Sequence, residues 1–171
     1  SVPAENRIAR IVEDVLGAGP GAEPCIGVDG ACIRRYRDVL YLTAPLPDAG
    51  RRLREADWGP DQAIELELGS LSASRGRGRG LRAAACETAR LSLRFRSGGE
   101  TLKRGGHRHD LKKIFQELGI PACYRDHLPL VYIDDRLAAV ADLCIDEDFA
   151  AGEGEESFQL RWDQLPEYPL P

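Results

Sequence analysis

Apolar residues spaced three and four apart mark two helical stretches. In HDLKKIFQELGIP, residues 109–121, Leu111, Ile114, Phe115 and Leu118 fall at i, i+3, i+4 and i+7, so one face of a short helix is apolar. Asp110 stands at the N-cap position, Gly119 can leave the helix in the left-handed conformation, and Pro121 forbids continuation. Residues 4–16, AENRIARIVEDVL, place Ile8, Ile11, Val12 and Val15 on one helical face ahead of Gly17.

Elsewhere the period is two. CIGVDGACIRRYRDVLYLT, residues 25–43, reads as short strands joined at Asp29-Gly30 and Arg37-Asp38, a hairpin or meander. Pro45, Pro47, Gly50, Gly59 and Pro60 break residues 44–62 into a connector. Ile64, Leu66 and Leu68 alternate with acids, and Leu91, Leu93 and Phe95 alternate with Ser92, Arg94 and Arg96, which predicts two strands. RGRGRG, residues 75–80, is too glycine-rich for a strand interior and reads as a mobile loop. LVYI, a turn at Asp134-Asp135 and RLAAVADLCI form a hairpin, and SFQLRW adds a last strand with Phe158, Leu160 and Trp162 on one side. Strands around one or two helices, without βαβ alternation, predict an α+β fold. A short N-terminal helical piece with a small meander (1–47) precedes a connector with one strand and the Arg/Gly loop (48–88). A compact, sandwich-like mixed domain (89–165) and a tail (166–171) complete the reading.

Length permits one ordinary domain or two small ones across 171 residues, and 43% apolar with 30% charged residues is a globular composition. No apolar run approaches a membrane span, and SVPAENRIAR lacks a signal-peptide core, so a cytoplasmic protein with no membrane partner is expected. Five cysteines without CxxC spacing suit reduced thiols, and the absence of methionine suggests a piece of a longer protein. The net charge of −5 argues against nucleic acid until its distribution is examined. Residues 90–130 carry nine Lys/Arg against four acids, whereas residues 131–171 carry two against eleven. Such clustering suggests a local anion-binding face, or else two blocks that neutralise each other across the fold.

The basic block supplies the candidate site. Arg104, His107 and Arg108 lie in a glycine-rich approach to the 111–118 helix, and Lys112 and Lys113 occupy its first turn, where the dipole disfavours cations by roughly 0.3–1 kcal/mol each. An anion at that helix start would offset this cost. Arg125 can join the same surface, with Arg96 and Lys103 flanking it, although Arg96 can instead support its turn. Other constellations are weaker. SGGETL, residues 97–102, looks like a phosphate loop but lacks the Asp, Ser and following helix that such a loop needs, and a turn is the better reading. His107, His109, Cys123 and His127 match no zinc spacing. A Cys123–His127 nucleophilic pair has no distinctive context, and Asp134-Asp135 reads as solvated turn acids.

The stretch LSLRFRSGGETLKRGGHRHDLKKIFQELGIPACYRDHLPLVYIDDRLAAVADLCI resembles the C-terminal domain of the bacterial tRNA(Ile)-lysidine synthetases. Arg96, Gly98, Gly99, Leu111, Lys112, Lys113, Phe115, Gln116, Glu117, Pro121, Arg125, Asp126, Pro129 and Leu130 carry the likeness. Upstream, EPCIGVDGACIRRYRDVLYL, with Arg34, Arg35, Tyr36 and Arg37, is similar to the end of that family's helical substrate-binding domain, while residues 48–88 match loosely. The resemblance implies a cytoplasmic ATP-dependent ligase that modifies the wobble cytidine of the isoleucine tRNA bearing a CAU anticodon. ATP adenylates C2 of the cytosine, lysine displaces AMP, and the tRNA is recoded from methionine to isoleucine. ATP with Mg2+, and lysine as co-substrate, would belong to an N-terminal domain that this chain lacks, so no cofactor and no catalytic residue are expected here. The resemblance implies a grip on the tRNA acceptor stem, for which the basic block offers Arg104, Arg108, Lys112, Lys113 and Arg125 as phosphate contacts, with Arg96 and Lys103 flanking and His107 beside them; a homodimer through the parent protein stays open. The rival reading is a structural or interaction domain that positions the catalytic domain or a second subunit without touching RNA.

Overall fold

A computed structural model describes residues 9, 12–19, 22, 24–37, 39–47 and 55–165 of the chain. Of the helix expected over 4–16, most lies outside these residues; Val12–Leu16 forms one π-helical turn with Val15 fully buried. The expected meander follows. β1 (Cys25–Val28), β2 (Ala31–Tyr36) and β3 (Val39–Thr43) form an antiparallel sheet in that order. Asp29 and Gly30 both take positive φ (48° and 85°), the geometry whose twist suits a two-residue hairpin.

Two larger antiparallel sheets share one core. β5 (Ile64–Leu66), β6 (Gly69–Arg77), β7 (Leu81–Arg82) and β14 (Glu156–Gln164) form a four-stranded sheet ordered β5-β6-β14-β7. The other is ordered β13-β12-β11-β8-β4, from β4 (Glu55–Asp57), β8 (Leu91–Arg94), β11 (Leu130–Ile133), β12 (Arg136–Val140) and β13 (Cys144–Ile145). Leu71, Leu81 and Phe158 from the first pack with Leu91, Leu93, Val131 and Ile133 from the second. Helix α1 (Ala83–Glu87) adds Ala83 and Cys86 to this core.

The five-stranded sheet is apolar on its other face too, because strand alternation sends Leu130 and Tyr132 away from Val131 and Ile133. Leu130, Leu137 and Val140 there meet Leu111, Ile114 and Phe115 of α2 (Leu111–Glu117) and Tyr124 of α3 (Ala122–Arg125). Leu102 joins them from a separate hairpin of β9 (Thr101–Arg104) and β10 (His107–Asp110). The meander reaches the same layer through Tyr41, and Arg37 donates to the Gln116 carbonyl at 3.2 Å.

Two local expectations are corrected. Arg75–Arg77 of RGRGRG continues β6 as a strand paired to β14 rather than forming a loop. The Gln159 side chain lies over Gly76, whose hypothetical Cβ would sit 2.5 Å from Gln159 Nε2, so a side chain there would have to displace the end of Gln159. The connector over 44–62 also contains β4, held in register by β8 through Ala56↔Leu93.

Candidate nucleic-acid interface

The candidate residues are presented by β9, β10 and α2. Gly105 and Gly106 turn the hairpin with φ of 59° and 80°, so only a residue tolerant of the left-handed region fits at either position. The register pairs Arg104 with His107, Lys103 with Arg108, Leu102 with His109 and Thr101 with Asp110. Leu102 is fully buried and seats the hairpin, while Arg104, His107 and Arg108 are exposed beyond it. Helix α2 then turns Leu111, Ile114 and Phe115 inward and leaves Lys112 and Lys113 exposed.

The cap differs from expectation. Asp110 occupies the N-cap position without a side-chain cap hydrogen bond, and the Leu111 N–H donates to the Glu100 carbonyl at 2.9 Å. The first turn is therefore tied to the loop before β9 through the backbone. The φ of 74° at Gly119 agrees with the helix exit expected there.

Ion pairing divides the eight candidates. Among the described residues, His107, Arg108, Lys112 and Lys113 have no carboxylate within ion-pair distance, and Arg108 makes only a long 3.4 Å bond to Thr101 Oγ1. Arg104 reaches Glu117 at 3.5 Å, both side chains being about half exposed. Lys103, by contrast, is held by Asp148 at 2.9 Å and Glu147 at 3.1 Å, and hydrogen bonds to these two carboxylates raise its pKa. Arg96 sits between Asp126 (3.2 Å) and Glu100 (3.8 Å), in the turn-supporting role. Arg125 is not on the open surface. It is 7% exposed, and its Nε donates to the Ile120 carbonyl at 2.8 Å, bracing the turn between α2 and α3 from inside.

The two charge blocks thus neutralise each other in part. Glu147 also accepts the Gly106 N–H at 2.9 Å, so the acidic segment clamps the inner side of the hairpin. Asp134 and Asp135 are likewise engaged: Asp134 accepts the Arg90 N–H and Asp135 accepts Arg94 Nη2 at 2.7 Å.

Sequence reasoning missed the role of Glu100. One of its carboxylate oxygens accepts the N–H groups of Ser97 (2.6 Å) and Gly98 (2.9 Å) and the Ser97 hydroxyl (3.1 Å). Burial alone would raise its pKa, but these donors outweigh burial and hold the carboxyl below its ordinary value. The loop that resembles a phosphate cradle is filled by the chain's own anion, so it does not fit ATP phosphates. An acid directly after the Gly-Gly pair was the legible signal. Among the described residues no three His, Cys, Asp or Glu side chains are arranged to hold a metal.

Comparisons with known proteins agree with this architecture. The family model described as TilS substrate C-terminal domain matches residues 91–162, which include the hairpin, α2 and α3. The model described as TilS substrate binding domain matches residues 1–41. The tRNA(Ile)-lysidine synthase of Coxiella burnetii is 36% identical over 91% of this chain and 35% of its own length. That of Serratia proteamaculans is 31% identical over 95% of this chain and 37% of its own length. The chain therefore spans little more than a third of these relatives. A crystal structure of a TilS C-terminal domain superposes with a TM-score of 0.52, at 23% identity, over 65% of this chain and 96% of that one, a likeness of fold. On this sequence and fold evidence, the chain belongs to the tRNA(Ile)-lysidine synthase family and represents its C-terminal region.

Proposed function

We propose that this chain grips tRNA for a parent ligase that joins lysine to the wobble cytidine of the CAU-anticodon isoleucine tRNA at the expense of ATP. In this reading ATP, Mg2+ and lysine are handled by a catalytic domain outside this chain, and this region docks on the acceptor stem. The observation that carries the proposal is the division among the cations. Arg104, Arg108, Lys112 and Lys113, with His107 beside them, stand exposed on three consecutive elements, β9, β10 and α2, with one long ion pair among them. Arg75, Arg90, Arg94, Arg136 and Arg161 elsewhere on the surface are paired with acids. Unpaired cations in a chain of net charge −5 form a local field suited to a polyanion.

Duplex RNA hides its bases in a deep, narrow groove, so such a surface reads backbone geometry and 2′-hydroxyls more than sequence. The chain then contributes orientation and binding energy rather than a reacting group. Two adjacent lysines in the first turn of α2 become intelligible, since phosphate replaces the missing negative partner.

Fluorescence titration of the chain with a labelled acceptor-stem minihelix tests the reading. Replacing Lys112 and Lys113 together with alanine should weaken binding about tenfold or more, since the paired change removes two phosphate contacts. Lys103→Ala should cost less, because its ammonium is already occupied by Glu147 and Asp148. Equal affinity of the Lys112/Lys113 double variant and the parent sequence would refute it.

A further inference from the structure

We propose that the outer face of the meander sheet is a docking surface for the preceding part of the parent chain, which lays an apolar helical face beside the Val12–Leu16 turn. This inference rests on the family assignment and is independent of RNA contact.

The strand register defines the face. Ile26 pairs with Ile33 and Ile33 with Leu42, placing three branched aliphatic side chains in one row across β1, β2 and β3. Arg35 and Leu40 form the adjacent row on the same face. The opposite face is turned inward in part: Tyr41 packs on the α2/α3 core, and Thr43 is buried and accepts from Arg34 Nε, while Val39 at its far end stays half exposed.

Among the described residues, only part of the outer face is covered. Arg35 extends from it to the carbonyls of Leu16 (2.8 Å) and Ala18 (2.5 Å), which holds the Val12–Leu16 turn over the sheet with Val15 beneath. Leu40 is 47% exposed, Leu42 61% and Leu16 50%, and among the described residues β3 is an edge strand of its sheet. Two exposed leucines on the outer face of β3 and a third on the Val12–Leu16 turn form apolar surface that the described residues leave uncovered.

The occupant follows from chain organisation. The substrate-binding family model ends at residue 41, within β3, so the meander is the terminal piece of that domain. The relatives carry nearly two thirds of their length outside the matched region. A sheet whose inner face holds the C-terminal domain and whose outer face is apolar is placed to join the two domains. RNA would not be drawn to this uncharged row.

The test introduces Leu40→Lys and Leu42→Lys together, in this chain and in the full-length parent. This chain should melt within about 1 °C of its unmodified form, since both side chains are exposed. The parent should lose about 5 °C or more in the melting of its substrate-binding region. Minihelix affinity of this chain should be unchanged, which separates this inference from the proposed RNA grip. An unchanged parent overturns the proposal. So does destabilisation of this chain itself, or a dimer of this chain in sedimentation analysis that the double variant dissolves, which would make the occupant a second copy.

Discussion

Replacing Glu100 with alanine removes an internal anion from a loop built around it. Three donors lose their acceptor, and Arg96 loses one of its two carboxylates. A hydrogen bond to a charged group contributes about 1.5–3 kcal/mol. Ser97 and Gly98 are exposed, so water replaces much of what is lost, and the net cost should be near 2 kcal/mol. For a domain of this size that is a drop of about 4–8 °C in melting temperature. The pH dependence carries the sharper signature. Because the folded carboxyl titrates below its ordinary 4.5, its stabilisation is complete above that value and is lost as pH falls through the folded pKa. Chemical denaturation of the unmodified chain and of Glu100→Gln, between neutral pH and about pH 3, should draw closer together toward the acid end as this contribution is titrated away. A constant stability difference across that range, or a Glu100→Ala melting point within about 1 °C of the original, would refute the role assigned to this carboxylate.

Further outcomes follow from the same physical reasoning. Gly80 has φ of 117° and its hypothetical Cβ would collide with the Phe158 carbonyl, so Gly80→Ala should destabilise by about 2–3 kcal/mol in urea denaturation. Gly76→Ala should cost less than about 1 kcal/mol, because it meets only the movable end of Gln159. The Cys86 and Cys144 thiols are pushed up to about 11 by burial, so native alkylation at mildly alkaline pH should spare both while unfolded protein is labelled at all five cysteines. Rapid native labelling of Cys86, read by peptide mass spectrometry, would contradict that burial.

Much of the fold was legible because its signals are local. The α2 helix has its 3.6-residue stripe and a left-handed glycine at its end, and the meander has a turn dipeptide between alternating strands. β4 was not legible, since three residues, Glu55–Asp57, form a strand only when β8 pairs with them. The same holds for RGRGRG, where Gln159 on the partner strand decides what a glycine means. At the site, sequence spacing gathered the cations of β9, β10 and α2 but was blind to their partners. Lys103 and Arg104 are neighbours in the chain, yet strand alternation sends one to Glu147 and Asp148 and the other toward Glu117. Arg125 looked like another surface cation until the turn after Ile120 enclosed it.

Salt-dependent titration with the acceptor-stem minihelix decides whether the open cations from Arg104 to Lys113 neutralise phosphates. Four such contacts predict that log K falls with log salt at a slope of about −3 to −4. Replacing Lys112 and Lys113 with alanine should bring that slope down by nearly two. A slope near zero for the unmodified chain, or one that the double replacement leaves unchanged, would contradict the account.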